Sequence, residues 1–162
     1  MDLEVTLLSE MAFKIEVLTQ LEQQIENSID EHGHVLDSAS VELGKLRRET
    51  RTSQNKIKEK LDGILRSSEY QKYFQDSLVT MRGDRYVIPI KQEYRQFFPG
   101  IVHDQSSSGA TLFIEPMSII ELNNNVKELM ANEKHEIERI LRALALQVLK
   151  YELQIKLDCE IL

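Results

Sequence analysis

Apolar residues recur every three or four positions along three long stretches of the chain, which predicts three amphipathic helices. The first stretch runs from Asp2 to about Ser28 and the second from about Ser40 to Arg66. The third keeps this spacing from Ser118 to Leu162 with no glycine or proline. As one helix it would be about 68 Å long at ~1.5 Å per residue, so we expect elongated elements.

The periodicity changes to that of β-strands between the second and third helices. Four short strands are predicted, over residues 78–82, 85–90, 101–103 and 110–114. Gly83 and Asp84 join the first two, because this pair suits the positive φ of a two-residue hairpin loop. Pro89 has no N–H to donate, so the second strand should be an edge strand or end there. A short helical turn is expected around residues 69–74.

Turn and capping residues mark the ends of the predicted helices. Gly33 supplies a turn after the first helix, and Asp37 or Ser38 offers an N-cap for the second. Ser118 and Glu121 have the spacing of a capping box at the start of the third helix.

These lengths predict a mainly α fold with a small antiparallel β tip, in the α+β class. The helices that enter and leave the strand region should lie antiparallel, and the first helix should cover the distal half of the last. The chain then divides into four segments, residues 1–36, 37–77, 78–116 and 117–162.

The composition fits a folded, helix-rich protein, with 41% hydrophobic and 29% charged residues. The net charge of −7 argues against a general nucleic-acid binder, whose surface is usually basic. The predicted tip differs, because four bases balance four acids between Val79 and Pro116. This asymmetry weakens the objection but does not create a basic patch.

Cellular location is indicated by what the chain lacks. The single cysteine, Cys159, cannot form an internal disulfide, which fits a reducing compartment. The sequence has no signal-like N-terminus and no apolar run long enough to cross a bilayer. We therefore expect a cytoplasmic protein with no membrane partner.

The serine-rich stretch between the last two predicted strands, residues 104–111, could suggest a nucleotide or catalytic site. It lacks the lysine that completes a Walker A loop and leads into a strand, so an ordered connection is the favoured interpretation. His103, Asp104 and the serines from Ser106 to Ser108 have the residue types of a hydrolase triad. They are sequence neighbours, however, and nothing arranges a base, an orienting group and a nucleophile around one reacting atom.

Four polar residues of the first loop could bind a metal: Asp30, His32, His34 and Asp37. Their spacing matches no standard zinc pattern, and helix capping explains them more simply. The sequence therefore predicts no catalytic residue, no metal site and no cofactor for this chain.

The basic residues of the predicted tip are Arg82, Arg85, Lys91 and Arg95. Such cations on a projecting end could contact phosphates and position a duplex without reading its sequence. Ordinary surface charge is the alternative, and composition alone favours it.

Two stretches of the chain, residues 81–91 and 100–116, closely resemble type-two MutS proteins, bacterial relatives of the mismatch-repair protein MutS. Within them the run VHDQSSSGAT, residues 102–111, is specific enough to carry the assignment. Shorter stretches look like the same family, at residues 35–40, 64–68, 121–124 and 136–141. The similarity covers roughly residues 28–150.

The resemblance implies lever helices that descend from a helical core to a DNA-contacting clamp and return toward an ATPase. The four segments above would be a core or lever segment, a descending lever, the clamp tip and an ascending lever. Intact members are homodimers with an ATPase and usually a nuclease domain, which implies ATP and magnesium. This chain has no Walker A motif, so we expect an internal, non-catalytic piece of a longer protein.

Three functions follow as hypotheses. The leading one is a clamp that binds double-stranded or branched DNA without sequence specificity, in repair and control of recombination. The second is an arm that contacts the ribosome or RNA in the rescue of stalled ribosomes. The third is a structural lever or dimerisation segment. An independent enzyme would need a carboxylate pair or metal cluster that the sequence does not offer.

Overall fold

The computed structural model describes residues 2–162, with the side chains of residue 6 and of residues 8–162. The helices of this part of the chain are α1 Asp2–Ala12, α2 Thr19–Glu26, α3 Val41–Arg66, α4 Ile120–Lys150 and α5 Glu152–Ile161. The strands are β1 Thr80–Arg82, β2 Arg85–Lys91, β3 Gly100–Gln105 and β4 Thr111–Pro116. The predicted α+β class, mainly helical with a small antiparallel sheet, is confirmed.

The chain separates into two compact units. The helical unit consists of Met1–Gly44 and Lys134–Leu162, and the sheet unit consists of Lys45–Glu133. The division into four segments predicted from the sequence stays a prediction, since these units follow packing rather than those boundaries.

The first predicted helix is interrupted, which the apolar spacing did not indicate. Residues 13–18 separate α1 from α2 and include two β-branched residues, which restrict helical side-chain rotamers. Side chains of α5 bind this break: Gln154 Nε2 donates to the Lys14 carbonyl (3.1 Å), and the Glu16 N–H donates to Asp158 Oδ1 (3.4 Å). Tertiary contacts therefore satisfy backbone groups that a continuous helix would have used.

The last predicted helix also contains a break. Tyr151 has φ −102° and ψ 11°, which ends α4 before α5 begins. Its N–H donates to the Val148 carbonyl (3.0 Å), a tightened i to i−3 bond, and the Ile155 N–H returns to the Tyr151 carbonyl (2.9 Å). The prediction of one helix of about 68 Å is wrong; α4 has 31 residues and is about 46 Å long.

Ser40, rather than Asp37 or Ser38, caps α3. Its Oγ accepts a hydrogen bond from the Leu43 N–H (2.9 Å) and donates to Glu136 Oε1 (2.6 Å). Asp37 and Ser38 lie in the one-turn 3-10 helix that precedes it. The predicted N-cap is therefore two or three residues too early.

The predicted capping box of the last helix does not form. Met117–Ile119 is a one-turn 3-10 helix that follows Pro116 and has no side-chain cap hydrogen bond. Lys60 Nζ instead donates to the Ser118 carbonyl (3.1 Å), so a side chain from α3 binds the backbone at this helix start.

One carboxylate, that of Glu136 on α4, is linked to the N-cap of α3 in the helical unit. Glu136 accepts hydrogen bonds from Arg139 Nε and NH2 (both 2.7 Å) and from Ser40 Oγ (2.6 Å). The Arg139 hydrogen bonds, followed by that of Ser40, lower the pKa of Glu136 to about 2. The hydrophobic core of this unit includes the buried side chains of Val35, Leu43 and Ile140.

In the sheet unit, α3 and α4 run antiparallel. Three contacts follow one another along the pair: Arg47 Nε with Glu133 (2.7 Å), Asn125 Nδ2 with Ser53 Oγ (3.0 Å), and Lys60 Nζ with the carbonyl of residue 118. Residue numbers therefore rise along α3 as they fall along α4. The helices cover one face of the sheet. The core between them includes Ile57, Leu61, Tyr86, Ile88, Ile90, Leu112, Ile114, Ile119 and Val126.

All strands of the sheet are antiparallel, in the order β1-β2-β4-β3. The predicted hairpin is confirmed: Arg82 pairs with Arg85, and Gly83 takes φ +57° in the two-residue loop between them. The predicted turn around residues 69–74 is also present, as the 3-10 helix Gln71–Tyr73.

Pro89 lies within β2, which has a strand on each side, so the prediction that this strand is an edge strand or ends at Pro89 is wrong. The Pro89 carbonyl accepts from the Gln75 N–H (3.0 Å). The nitrogen and carbonyl of one residue point to the same side of an antiparallel strand. That side is free of β1, whose pairing stops at Thr80 and Val87, and it faces the isolated bridge between Phe74 and Ile90, so the missing N–H takes no bond from the pairing of β2 with β1 or β4.

Close packing at Gly100 gives a stability prediction. A Cβ there would overlap the Glu115 carbonyl oxygen and Ile114 Cγ2. We expect Gly100→Ala to lower the free energy of unfolding by about 1–3 kcal/mol in urea titrations. Gly63→Ala is the matched control, because its Cβ would meet nothing within 4 Å in α3, and should raise stability by about 0.5–1 kcal/mol. Equal effects of both changes would contradict this packing.

The lowered pKa of Glu136 gives a pH prediction. The folded-state pKa of about 2 lies below the ordinary value of 4.5, so the stabilisation is present above pH 4.5 and is lost as the pH falls toward 2. We expect Glu136→Gln to cost about 1 kcal/mol at neutral pH, a modest value because Arg139 is largely exposed. Urea titrations should show this difference shrinking below pH 4.5; a constant difference would contradict it.

Candidate nucleic-acid interface

Glu115 on β4 is fully buried in the sheet unit, with 0% of its side chain exposed. Its Oε1 accepts from Arg85 NH1 on β2 (2.9 Å) and from Asn123 Nδ2 on α4 (2.7 Å). Its Oε2 lies 2.5 Å from His103 Nε2 on β3. Three elements therefore supply partners to one carboxylate, which offsets the cost of removing it from water.

Asn123 also completes the sheet where β4 ends. Continuing the β2–β4 register places Tyr86 opposite Pro116, which has no N–H to donate. The Asn123 amide takes its place: Nδ2 donates to the Tyr86 carbonyl (3.3 Å), and Oδ1 accepts from the Tyr86 N–H (3.4 Å). The start of α4 is thereby fixed to both β2 and Glu115.

Arg82 crosses the outer face of the sheet, which is the face opposite the helices. Its guanidinium lies 3.6 Å from the ring centroid of Phe113, and its Nε pairs with Asp104 Oδ2 at 2.9 Å. Its NH1 donates to the Met81 carbonyl (2.8 Å). Arg82 belongs to β1 and Asp104 to β3, so this side chain joins the two edge strands of the sheet.

Arg95 occupies backbone carbonyls beside β3. Its NH1 donates to the Phe98 carbonyl (3.2 Å) and its NH2 to that of Gly100 (3.1 Å). These two carbonyl groups already accept hydrogen bonds, and β3 has a bulge between Val102 and Asp104. Both features make this edge strand a poor template for pairing with another chain.

Lys91 has the weakest internal contact of the four predicted bases. Its Nζ lies 3.4 Å from the carbonyl oxygen of Lys72. The Lys72 amine lies 5.2 Å from the centroid of the Tyr73 ring. Among the residues that the structure describes, neither lysine forms an ion pair, so both amines remain available to an anion.

The four bases predicted to contact phosphate are thus in different environments. Arg82 and Arg85 are cross-strand neighbours, but their guanidinium groups pair with different acids. Arg95 binds carbonyl groups, and only Lys91 is held by a single weak contact. These contacts do not test phosphate binding, which stays a prediction for all four.

Sequence reasoning missed Glu115 and Asn123, and it counted Glu115 only as an acid that balances the local charge. One signal could have drawn attention to it. Glu115 follows the apolar run Leu112–Ile114 and precedes Pro116, so it continues a buried strand with a charged residue. A carboxylate in such a position needs partners.

The serine-rich loop is an ordered connection, as predicted. Ser106 Oγ accepts from the Thr111 N–H (3.1 Å) and lies 3.3 Å from Ser108 Oγ. Gly109 takes φ +76°, and its carbonyl accepts from Gln105 Nε2 (3.1 Å). His103 contacts Glu115 rather than these serines, so the triad types do not come together.

Three polar residues of the first loop, Asp30, His32 and His34, form a turn rather than helix caps. The Asp30 carboxylate accepts from the N–H groups of His34 (2.8 Å) and His32 (2.9 Å), and Gly33 takes φ +83°. The backbone hydrogen bond from His34 is the main cause that lowers the pKa of Asp30. The expectation of helix-capping residues is therefore corrected, while the predicted turn at Gly33 is confirmed.

Known proteins similar to this chain point to one family. No family model matches it. It is 55% identical over 147 residues to a Brevibacillus brevis protein named Endonuclease MutS2, covering 91% of this chain and 19% of that protein. It is 54% identical over 145 residues to the Halalkalibacterium halodurans protein of the same name, covering 90% of this chain and 18% of that protein. A Bacillus subtilis protein named Putative endonuclease MutS2 is 45% identical over 159 residues, covering 98% of this chain and 20% of that protein.

This chain is a homologue of the type-two MutS proteins. The chain spans about a fifth of the length of these relatives. None of the helices in the described part of the chain combines the length and apolar character needed to cross a membrane.

The buried carboxylate gives a prediction about the free energy of unfolding. Arg85→Ala leaves the charge of Glu115 with fewer partners, so we expect the free energy of unfolding to fall by about 3 kcal/mol. Arg85→Ala combined with Glu115→Gln should recover part of that loss, because the unpaired charge is removed. Urea titrations of the wild type, both single variants and the double variant would measure the coupling. Additive effects would contradict the pairing.

Proposed function

We propose that this chain is the non-catalytic lever and clamp region of a type-two MutS protein. It binds double-stranded or branched DNA through the phosphate backbone, without sequence specificity, in DNA repair and control of recombination. Its homology to proteins named MutS2 supports the family context. In the intact protein, ATP, magnesium, nuclease activity and homodimerisation would belong to the rest of the chain.

The observation that carries the proposal is the pair of available amines on Lys72 and Lys91. An ammonium group is a compact point charge that contacts phosphate without demanding a fixed geometry, which suits a grip that does not read sequence. Arg82, Arg85 and Arg95 support this grip mainly by holding the sheet, since each has internal partners.

The antiparallel arrangement of α3 and α4 in the sheet unit supports the lever part of the proposal. Both helices contact the sheet through a continuous apolar core, so a displacement of the helix pair would move the sheet with it. The clamp tip would then correspond to residues 78–116, between a descending segment over 37–77 and an ascending segment over 117–162.

The proposal predicts a salt-dependent loss of binding in the Lys72→Ala/Lys91→Ala variant. Each lost phosphate contact reduces the slope of log K against log salt by about 0.9, so this variant should lose about 2 from the slope. Fluorescence anisotropy with duplex and branched DNA at several salt concentrations would measure it.

The matched control is Lys58→Ala/Lys127→Ala, which removes the same charge from exposed lysines of α3 and α4. It should keep nearly the wild-type slope. An equal loss in both variants would mean general charge attraction, and no binding even at low salt would reject the proposal. Binding to ribosomal particles but not to DNA would favour the ribosome-contacting arm.

A further inference from the structure

A group of aromatic rings lies beside the two available lysines. Tyr73 is central: its ring centroid is 4.9 Å from that of Tyr94 and 6.2 Å from that of Phe97, with interplanar angles of 34° and 21°. We call Tyr73, Tyr94 and Phe97 the aromatic step. All three lie in the sheet unit.

Phe97 is the unusual member of the aromatic step, because 55% of it is exposed. The next residue, Phe98, which follows the 3-10 helix Gln92–Phe97, is buried at 2% exposure and packs in the core, so the interior already has a phenyl ring from this turn of the chain. Tyr73 and Tyr94 are half-buried and pack against the same core, which gives Phe97 a rigid support. An exposed ring on such a support is suited to stacking on a flat ligand.

The charges beside the aromatic step indicate what kind of flat ligand would bind. The Lys72 amine lies over the Tyr73 ring at 5.2 Å from its centroid, and the Lys91 amine lies 3.4 Å from the Lys72 carbonyl. Cations beside an aromatic step that includes one exposed ring match a ligand that combines flat bases with phosphates. In a duplex the base faces are already stacked, so only unpaired nucleotides present both groups.

We propose that the aromatic step stacks an unpaired base of single-stranded nucleic acid on Phe97 while Lys72 and Lys91 contact the neighbouring phosphates. This inference rests on the proposed nucleic-acid binding and deepens it, because it names the unpaired strand of a branched molecule as the preferred ligand. Base stacking tolerates any sequence, since every base has an aromatic face.

The test compares two single-stranded ligands with the same number of phosphates. One is an oligothymidylate of about 15 nucleotides, near the upper size of single-strand sites, and the other is an abasic oligomer of equal length. The wild type should bind the oligothymidylate more tightly. Phe97→Ala should raise its Kd about 5- to 150-fold, equivalent to about 1–3 kcal/mol, and leave the abasic Kd unchanged.

Met117→Ala is the matched control, since Met117 is 59% exposed and apolar but outside the aromatic step. It should change neither Kd. Circular dichroism would verify that both variants fold, as expected for exposed side chains.

The outcomes separate the two proposals. Equal wild-type affinity for both oligomers, or an unchanged Kd in Phe97→Ala, would overturn base stacking while salt-dependent duplex binding kept the proposed function. Absence of binding to duplex and oligomers alike would reject both. A dimer in sedimentation that Phe97→Ala dissociates would assign this ring to a second copy of the chain and overturn the inference.

Discussion

The buried carboxylate of Glu115 constrains the sheet unit more than any other single group. Its partners come from β2, β3 and α4, which are separated along the chain by up to 38 residues between Arg85 and Asn123. A one-residue slip of β4 would turn this side chain to the opposite face and leave a charge among apolar side chains. The carboxylate therefore favours one strand register and one starting position for α4 at the same time.

The basic residues of the sheet unit are of two kinds, those that pair with an acid and those that do not. Glu115 and Asp104 accept from Arg85 and Arg82, and a guanidinium group suits such contacts because its planar donors reach several acceptors at once. A lysine amine is a point charge on a flexible stem, and Lys91 keeps only a long contact to a carbonyl. Two of the four acids that balance the charge of residues 79–116, Asp104 and Glu115, are therefore also the partners of Arg82 and Arg85.

Local signals in the sequence predicted local structure well. The hairpin at Gly83, the turn at Gly33 and the helix from about residue 40 to Arg66 all agree with the structure. The breaks at residues 13–18 and at Tyr151 carry no glycine or proline, and distant side chains satisfy the first of them, so no local pattern could reveal it. The same limit applied to the candidate site. Charge counting drew attention to residues 79–116 as a candidate segment, but it could not show that the partner of Arg85 lies 30 residues away in the sequence.

The near-neutral charge of residues 79–116 bears on how the sheet unit could hold a nucleic acid. Four bases and four acids between Val79 and Pro116 give little long-range attraction to an anionic polymer, so any grip must depend on contacts at short range. A base stacked on an aromatic ring, with an amine close to its phosphate, is such a contact. A nearly neutral surface that depends on short-range contacts would discriminate between nucleic-acid structures by the groups that they expose. Unpaired bases, absent from the surface of a regular duplex, are the group for which exposed Phe97 is best suited.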